Sequence, residues 1–143
     1  MSSLRTSIEQ RATQGSDPIT YVHVQLEGFI DAANYPLFEK TLEKLLDSGR
    51  FHIVLDFKGV EYINSTGISG IIRFHQQCAS GGGVLVLSSV ARNVGITMHL
   101  LGVTSVVSVA KDVGEAEKAL NAIARDAETG TEERKVPVMA EKS

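Results

Sequence analysis

The residues Asn-Ser-Thr-Gly at positions 64–67 are the clearest candidates for chemistry in this sequence. They follow residues 53–57, a short apolar and β-branched run that is typical of a buried strand. They precede Ile68, Ile71 and Ile72, whose spacing places them on one face of a helix. The chain therefore changes from strand to helix at this point, and two hydroxyl-bearing residues lie at the change.

Ser65 allows two interpretations. The side-chain oxygens of short polar residues accept hydrogen bonds from the free N–H groups of a new helix, so the segment fits a helix cap. A hydroxyl at a helix N-terminus is also a favourable place for a phosphate, because the helix dipole and the free N–H groups accommodate its charge. Gly67 and Gly70, which lack Cβ atoms, would leave the turn open to close approach by a partner or a kinase. The sequence alone does not decide whether Ser65 is only part of a helix cap or also a site of switching by phosphorylation.

A serine hydrolase is disfavoured, and we predict no catalytic residue. A nucleophilic serine needs a base and an orienting acid, and an α/β-hydrolase would show Gly-x-Ser-x-Gly around it. Here the position two residues before Ser65 is Ile63, and the four histidines are scattered singly along the chain. The histidine at position 75 falls on the apolar face of the predicted second helix, which favours a packed side chain over a base.

No metal or cofactor site is predicted either. Cys78 and the four dispersed histidines show no paired-ligand spacing. The three glycines at 81–83 precede a predicted strand and lack the Gly-Lys-Ser/Thr ending of a phosphate loop, so they predict a turn.

The bulk composition indicates a cytoplasmic protein with one domain. The chain has 143 residues, of which 43% are hydrophobic and 22% are charged. A net charge of −3 makes nucleic acid and anionic membranes poor candidates as partners. A single cysteine fits a reducing compartment. No signal-peptide pattern is visible, and no apolar run approaches the roughly 20 residues of a membrane span.

Apolar periodicity predicts an α/β fold. Strands are expected over residues 4–13 and 19–26, as an antiparallel hairpin, and then over 53–57, 84–87 and 106–109. A stripe of Phe38, Leu42, Leu45 and Leu46 predicts the first helix, with Asp31 and Asn34 as candidate N-caps. Further helices are expected to about residue 79, over 91–101, and after Asp112 as an N-cap. The result is a mixed, mainly parallel sheet of four to five strands with about four helices.

Residues 1–125 form the predicted domain, and residues 126–143 are predicted to be a flexible polar tail. The tail has too little apolar content to offset its ordering entropy, and the alternative for its first few residues is an extension of the last helix. Within the domain, sites in parallel sheets gather at the carboxyl ends of strands. The turn at residue 65 lies at such an end, and so does the segment 28–31 if the second strand is parallel to the central one.

Three separated motifs resemble the STAS family of bacterial anti-sigma-factor antagonists. Residues 28–34 (Gly-Phe-Ile-Asp-Ala-Ala-Asn) resemble its segment before the first helix, and residues 54–57 with 60–68 resemble its strand and phosphorylation loop. Residues 100–103 and 116–120 resemble its closing region. The resemblance covers roughly residues 5–124 and implies a single STAS-like domain.

The resemblance implies a non-enzymatic partner switch. Such a protein binds an anti-sigma factor that is also a serine kinase, and phosphorylation of the first serine of the loop breaks the complex. That serine is Ser65 here, with Thr66 as the alternative acceptor, and a separate serine phosphatase restores binding. The implied partner-binding residues are Asp31, Asn64, Thr66, Gly67, Ile68 and Ser69. The resemblance implies no particular oligomeric state.

One position departs from the family pattern. Asn64 stands where the family usually has aspartate, so a charge next to the phosphoacceptor is absent. Asparagine still caps a helix, but kinase recognition and the electrostatic fit to a partner would change. The alternative is a docking subunit of a stress-signalling or lipid-transport complex, in which Ser65 is only a cap.

Overall fold

Residues 3–128 are described by a computed structural model, and they form five strands and four helices. The strands are β1 (Leu4–Ala12), β2 (Thr20–Ile30), β3 (His52–Ile63), β4 (Val84–Ser88) and β5 (Ser108–Ala110). The helices are α1 (Tyr35–Asp47), α2 (Ser65–Ser80), α3 (Arg92–Leu100) and α4 (Val113–Glu128), and a single 3₁₀ turn spans Val103–Ser105. No helix within this part of the chain is long and apolar enough to cross a membrane.

The five strands form one mixed sheet in sequential order, β1-β2-β3-β4-β5. β1 is antiparallel to β2, which confirms the predicted hairpin. β2, β3, β4 and β5 are parallel, which confirms the predicted α/β class with a mainly parallel sheet. The carboxyl ends of these four strands therefore lie along one edge of the sheet.

Helices cover both faces of the sheet. On one face α1, α2 and α3 bury Phe38, Phe74 and Met98 against alternate residues of the central strands. On the other face α4 packs Leu120 against Val54 and other residues of the opposite parity. Because both faces are covered, the central strands are apolar without a break, as the sequence predicted for them.

β2 ends four residues later than predicted, because a glycine allows it to continue. Gly28 has a φ of +113°, and a Cβ at this position would collide with the Ser3 carbonyl oxygen. Phe29 donates its backbone N–H to that same oxygen at 2.8 Å. Because Ser3 approaches β2 this closely and bonds to Phe29, the pairing of β2 with the N-terminal segment continues and the strand extends to Ile30.

β3 continues past the predicted apolar run by means of a β-bulge at a buried carboxylate. Its pairing with β2 shifts register just after Asp56. One oxygen of Asp56 accepts the backbone N–H of Lys58 at 3.0 Å, and the other lies 2.9 Å from Nε2 of His23. Both of these polar side chains are buried, so each satisfies the other. The strand then resumes and ends at Ile63, directly before the candidate site.

Three further boundaries differ from the prediction. β5 begins two residues later than expected, because a 3₁₀ turn follows Gly102, whose φ is +88°. α3 is one residue shorter at each end than predicted. Asp112 caps α4 as expected, since its carboxylate accepts the Glu115 N–H at 2.8 Å. α4 runs through residue 128, past the predicted domain boundary at 125, and the rest of the predicted tail, 129–143, lies outside the described residues.

Gly67 and Gly70 serve contacts inside the domain and do not open a surface for a partner. A Cβ at Gly67 would lie 2.8 Å from side-chain carbons of both Ile30 and Ile63. A Cβ at Gly70 would lie 2.6 Å from the hydroxyl of Tyr35. The expectation that these glycines permit close approach from outside is therefore wrong, because α1 and the strand ends already fill that space.

Replacing Gly67 with alanine is expected to destabilise the domain by about 1–3 kcal/mol, because the new methyl overpacks α2 against the strand ends. Chemical denaturation monitored by circular dichroism measures the change. Gly95 is the matched control, since it is also helical and its Cβ would meet only Val90, at 3.6 Å. Gly95→Ala should stabilise by up to about 1 kcal/mol through helix propensity. Equal effects of the two substitutions would contradict this packing argument.

Candidate functional site

The parallel pairing of β2 with β3 brings two predicted site segments together. Ile30 and Ile63 are partners at the ends of these strands. The next backbone N–H, that of Asn64, donates to the Ile30 carbonyl at 2.9 Å. Asp31 and Ser65 therefore emerge side by side at the carboxyl edge, as expected if β2 were parallel to β3.

Asn64 is the N-cap of α2. Its backbone is extended, with φ −97° and ψ 178°, and its side-chain oxygen accepts the Gly67 N–H at 2.9 Å. Its own carbonyl accepts the Ile68 N–H at 3.0 Å, which closes the first turn. The uncharged amide of Asn64 therefore caps the helix, as asparagine was expected to do here. Ser65 is the first residue of α2.

The predicted loop residues divide into an exposed set and a buried set. Ser65, Thr66 and Ser69 are exposed, so three hydroxyl groups face solvent on the first turn and a half of α2. Gly67 and Ile68 are buried, and Ile68 is only 3% exposed. The buried pair holds the helix against the core, and the exposed residues form the accessible surface.

Asp31 fixes the start of α1 beside this surface. Its carboxylate accepts the Asn34 N–H at 3.1 Å, and its carbonyl accepts the Tyr35 N–H at 2.8 Å. Asn34 holds the N-cap position, but its side chain makes no capping bond and instead donates to the Phe29 carbonyl at 3.1 Å. Of the two predicted N-caps, Asp31 therefore supplies the side-chain bond at this turn and Asn34 ties it back to β2.

A polar cluster that sequence reasoning missed holds α1 against α2. Arg73 donates to the Tyr35 hydroxyl at 2.9 Å and to the Glu39 carboxylate at 2.8 Å. Partial burial opposes its charge, but the bond to Tyr35 and the nearby charges of Glu39 and Glu43 raise the pKa of Arg73. The cation bridges the two helices one turn below Ser69. Helical spacing alone could not reveal it, because its partners come from a different helix.

The exposed hydroxyls lie at the positive end of a helix dipole, with Asp31 as a negative group nearby. The first turn of α2 contains no acidic side chain. Backbone N–H groups in a first helical turn lack intrahelical partners, and those of Ser65 and Thr66 belong to this class. The positive end of the helix dipole therefore lies at Ser65, and Asp31 supplies a negative group on the adjoining segment.

An aromatic pair lies beside the site. Phe29 and Tyr62, near the ends of β2 and β3, have ring centroids 6.4 Å apart, and Tyr62 is 47% exposed. Each ring stands two or three residues before a predicted site residue, Asp31 or Ser65. The two strands extend beyond their predicted ends at residues 26 and 57, and this extension is what places the two rings side by side.

Helix α3 adds an exposed apolar strip to the same side of the molecule. The Asn93 side chain donates to the Glu61 carbonyl at 3.3 Å, which places the start of α3 near the end of β3. Ile96, Leu100 and Leu101 are exposed, and Leu100 is 76% exposed. Val94 and Met98 form the buried face of α3, so Ile96 and Leu100, together with Leu101 at its C-cap, are left facing solvent.

Comparison with known families identifies this arrangement. Residues 10–116 match the STAS domain family. The chain belongs to the STAS family. Its mixed five-stranded sheet with four helices is thus the family fold, and anti-sigma factor antagonists occur among its relatives.

Three relatives illustrate the range of similarity. BtrV of Bordetella bronchiseptica, assigned by name as an anti-sigma factor antagonist, is 29% identical over 85 residues, which are 59% of this chain and 73% of BtrV. The crystal structure of an anti-sigma factor antagonist from Mycobacterium paratuberculosis superposes with a TM-score of 0.69 at 17% identity, over 83% of this chain and 95% of that one. The phosphorylated form of the Bacillus cell fate determinant SpoIIAA gives 0.54 at 13% identity, over 82% and 99%. The two structures establish a shared fold.

Removal of the cap should weaken the domain without removing the hydroxyls. Asn64→Ala is expected to cost about 1 kcal/mol of unfolding free energy, because the Gly67 N–H loses its acceptor. Asn64→Asp keeps an acceptor and adds a negative charge at the helix N-terminus, so it should retain wild-type stability or slightly exceed it. Urea denaturation of the three proteins measures this order, and an Asn64→Asp protein as unstable as Asn64→Ala would contradict the assigned cap.

Proposed function

We propose that this protein is an anti-sigma-factor antagonist that acts by partner switching. It binds an anti-sigma factor with serine kinase activity, and phosphorylation of Ser65 releases that partner. The observation that carries the proposal is the exposed Ser65 hydroxyl at the first position of α2, next to Asp31 on the neighbouring strand end. The protein acts by binding in the cytoplasm, and the proposal assigns it no catalytic residue, cofactor, membrane or nucleic acid.

The geometry at Ser65 supports phosphorylation without refolding. A phosphoserine carries nearly two negative charges and three strong acceptor oxygens. The free N–H groups of the first turn and the helix dipole favour that charge. The Gly67 N–H is already held by Asn64, so the cap need not break when the phosphate is added. Phosphorylation would then change the surface and leave the fold in place.

The same geometry supports release of a bound partner. A partner that covers Ser65, Thr66 and Ser69 would meet new bulk and new negative charge. The carboxylate of Asp31 lies on the adjoining segment, so the partner would have to desolvate two negative groups together. A separate serine phosphatase would restore binding by removing the phosphate.

Asn64 shapes how the switch would be recognised. An amide in place of a carboxylate removes one negative neighbour, so the incoming phosphate is less strongly repelled. The kinase also loses a charge by which to recognise the turn. Ser65 and Thr66 are both exposed, and we assign Ser65 as the acceptor and Thr66 as the alternative. The name of BtrV supports the role of anti-sigma-factor antagonist, and SpoIIAA, which shares the fold, has been described in a phosphorylated form.

Ser65 variants test the proposal. With a serine-kinase anti-sigma factor, Ser65→Ala should bind as well as wild type and incorporate no phosphate at that position. Ser65→Asp should bind at least about tenfold more weakly, because a fixed negative charge faces the partner. Isothermal titration calorimetry measures binding, and mass spectrometry after the kinase reaction locates the phosphate.

Ser80→Asp is the matched control, because Ser80 is an exposed serine at the opposite end of the same helix. It should bind like wild type. Equal binding by wild type and Ser65→Asp, together with no phosphate on Ser65 or Thr66 in protein from its native cell, would reject the switch. That result would favour the docking subunit, in which Ser65 only begins a helix.

A further inference from the structure

The two edges of the sheet are very different. The edge formed by β5 is three residues long, but the edge formed by β1 is nine residues long. β1 contains no proline, and its pairing with β2 runs without a bulge from Leu4 to Ala12. Among residues 3–128, no strand pairs with the outer side of β1. A long, regular and open edge is a template for another strand.

The hydrogen bonds at the two ends of β1 show which backbone groups face outward. Ser3 accepts from the Phe29 N–H at 2.8 Å, and Thr13 donates to the Ile19 carbonyl at 3.0 Å. Backbone groups alternate in direction along an antiparallel strand, so the odd-numbered residues bond to β2. The N–H and C=O groups of the even-numbered residues therefore point away from the sheet, and these are Leu4, Thr6, Ile8, Gln10 and Ala12.

We propose that a second copy of this chain pairs with β1, antiparallel and about a two-fold axis at Ser7. Thr6 then exchanges backbone hydrogen bonds with Ile8 of the second copy, and Leu4 does so with Gln10 of the second copy. Only outward-facing groups are used, so no bond between β1 and β2 is lost. The two sheets become one sheet of ten strands.

Charge selects this register. With Ser7 on the axis, Arg5 lies opposite Glu9 of the second copy, and the symmetry repeats the pair. Arg5 already contacts Glu27 of its own chain at 2.7 Å on the same face of the sheet. The joined sheet therefore carries a row of alternating charges, which stabilises cross-strand pairing.

Two of the alternative registers oppose like charges, and a third, with the axis at Thr6, places Arg5 opposite Ser7 of the second copy and gains no charge pair. An axis at Ile8 would place Arg5 opposite Arg11 of the second copy. An axis at Glu9 would place the two copies of Glu9 against each other. Like charges directly opposite each other destabilise a strand pair, so both of these registers are disfavoured.

The other face of β1 offers an apolar contact. Ile8 is 49% exposed, which is unusual for a large β-branched side chain in a strand. In the proposed register Ile8 lies directly across from Thr6 of the second copy, and cross-strand pairs of this kind stabilise a sheet.

The pairing leaves the candidate switch accessible. The two-fold axis makes the strands of one copy antiparallel to those of the other. The carboxyl ends of β2 and β3 in the two copies therefore point in opposite directions, and so do the two Ser65 turns. The dimer is therefore bivalent, and each turn can be covered or modified without a clash with the other.

Charge exchange on the full-length chain tests the dimer. Sedimentation velocity should show a concentration-dependent dimer for wild type. Arg5→Glu and Glu9→Arg should each raise the dimer dissociation constant by about tenfold or more, because each places like charges across the axis. An equimolar mixture of the two variants should recover the dimer, since every cross-strand pair is then of opposite sign.

Lys40→Glu is the matched control, because it makes the same charge change at an exposed position of α1; it should dimerise like wild type. Thermal melts confirm that each variant is folded. A monomeric wild type at its highest attainable concentration overturns the proposal, and so does a dimer that neither β1 variant weakens.

Discussion

The parallel pairing of β2 with β3 up to their last residues is the interaction on which the candidate site depends. It ends in one hydrogen bond, from the Asn64 N–H to the Ile30 carbonyl. Because the two strands stop at the same level, the chain leaves both of them at the same edge, and Asp31 and Ser65 become neighbours although 34 positions separate them. Two register shifts precede this end of the pairing, one just after Asp56 and one between Gly28 and Phe29, and beyond both of them Ile30 pairs with Ile63.

The cap and the switch, which looked like alternatives in the sequence, use the same geometry. Asn64 satisfies the Gly67 N–H, and Gly67 in turn packs between Ile30 and Ile63. The first turn of α2 is thereby held from within, and only Ser65, Thr66 and Ser69 remain available outside. A rigid turn with accessible hydroxyls suits a modification that changes a surface while the fold persists. Under the proposed switch, capping by Asn64 would therefore hold the turn in place when Ser65 carries a phosphate.

The two proposed interaction surfaces lie at different parts of the sheet. The carboxyl edge carries the hydroxyls, the Phe29–Tyr62 ring pair and the exposed side of α3. β1 is the outermost strand on one side of the sheet, and the groups available there are the backbone N–H and C=O groups of its even-numbered residues. A partner at the carboxyl edge and a second copy at β1 therefore do not compete for the same residues. The fold can support recognition and self-association together, since each uses a different direction of the sheet.

The sequence by itself determined the α/β class, the hairpin, the four helices and the change from strand to helix at residues 64–67, because these follow from local periodicity and capping. It also placed the candidate acceptor and its neighbour Asn64 correctly at a strand-to-helix turn. Only the tertiary structure decided the extension of β2 through Gly28, the inward role of Gly67 and the bridge from Arg73 to α1. Each of these depends on atoms that are distant in the chain: the Ser3 carbonyl, the strand ends and the Tyr35 hydroxyl. Local pattern specifies elements, and long-range packing specifies which of their residues face solvent.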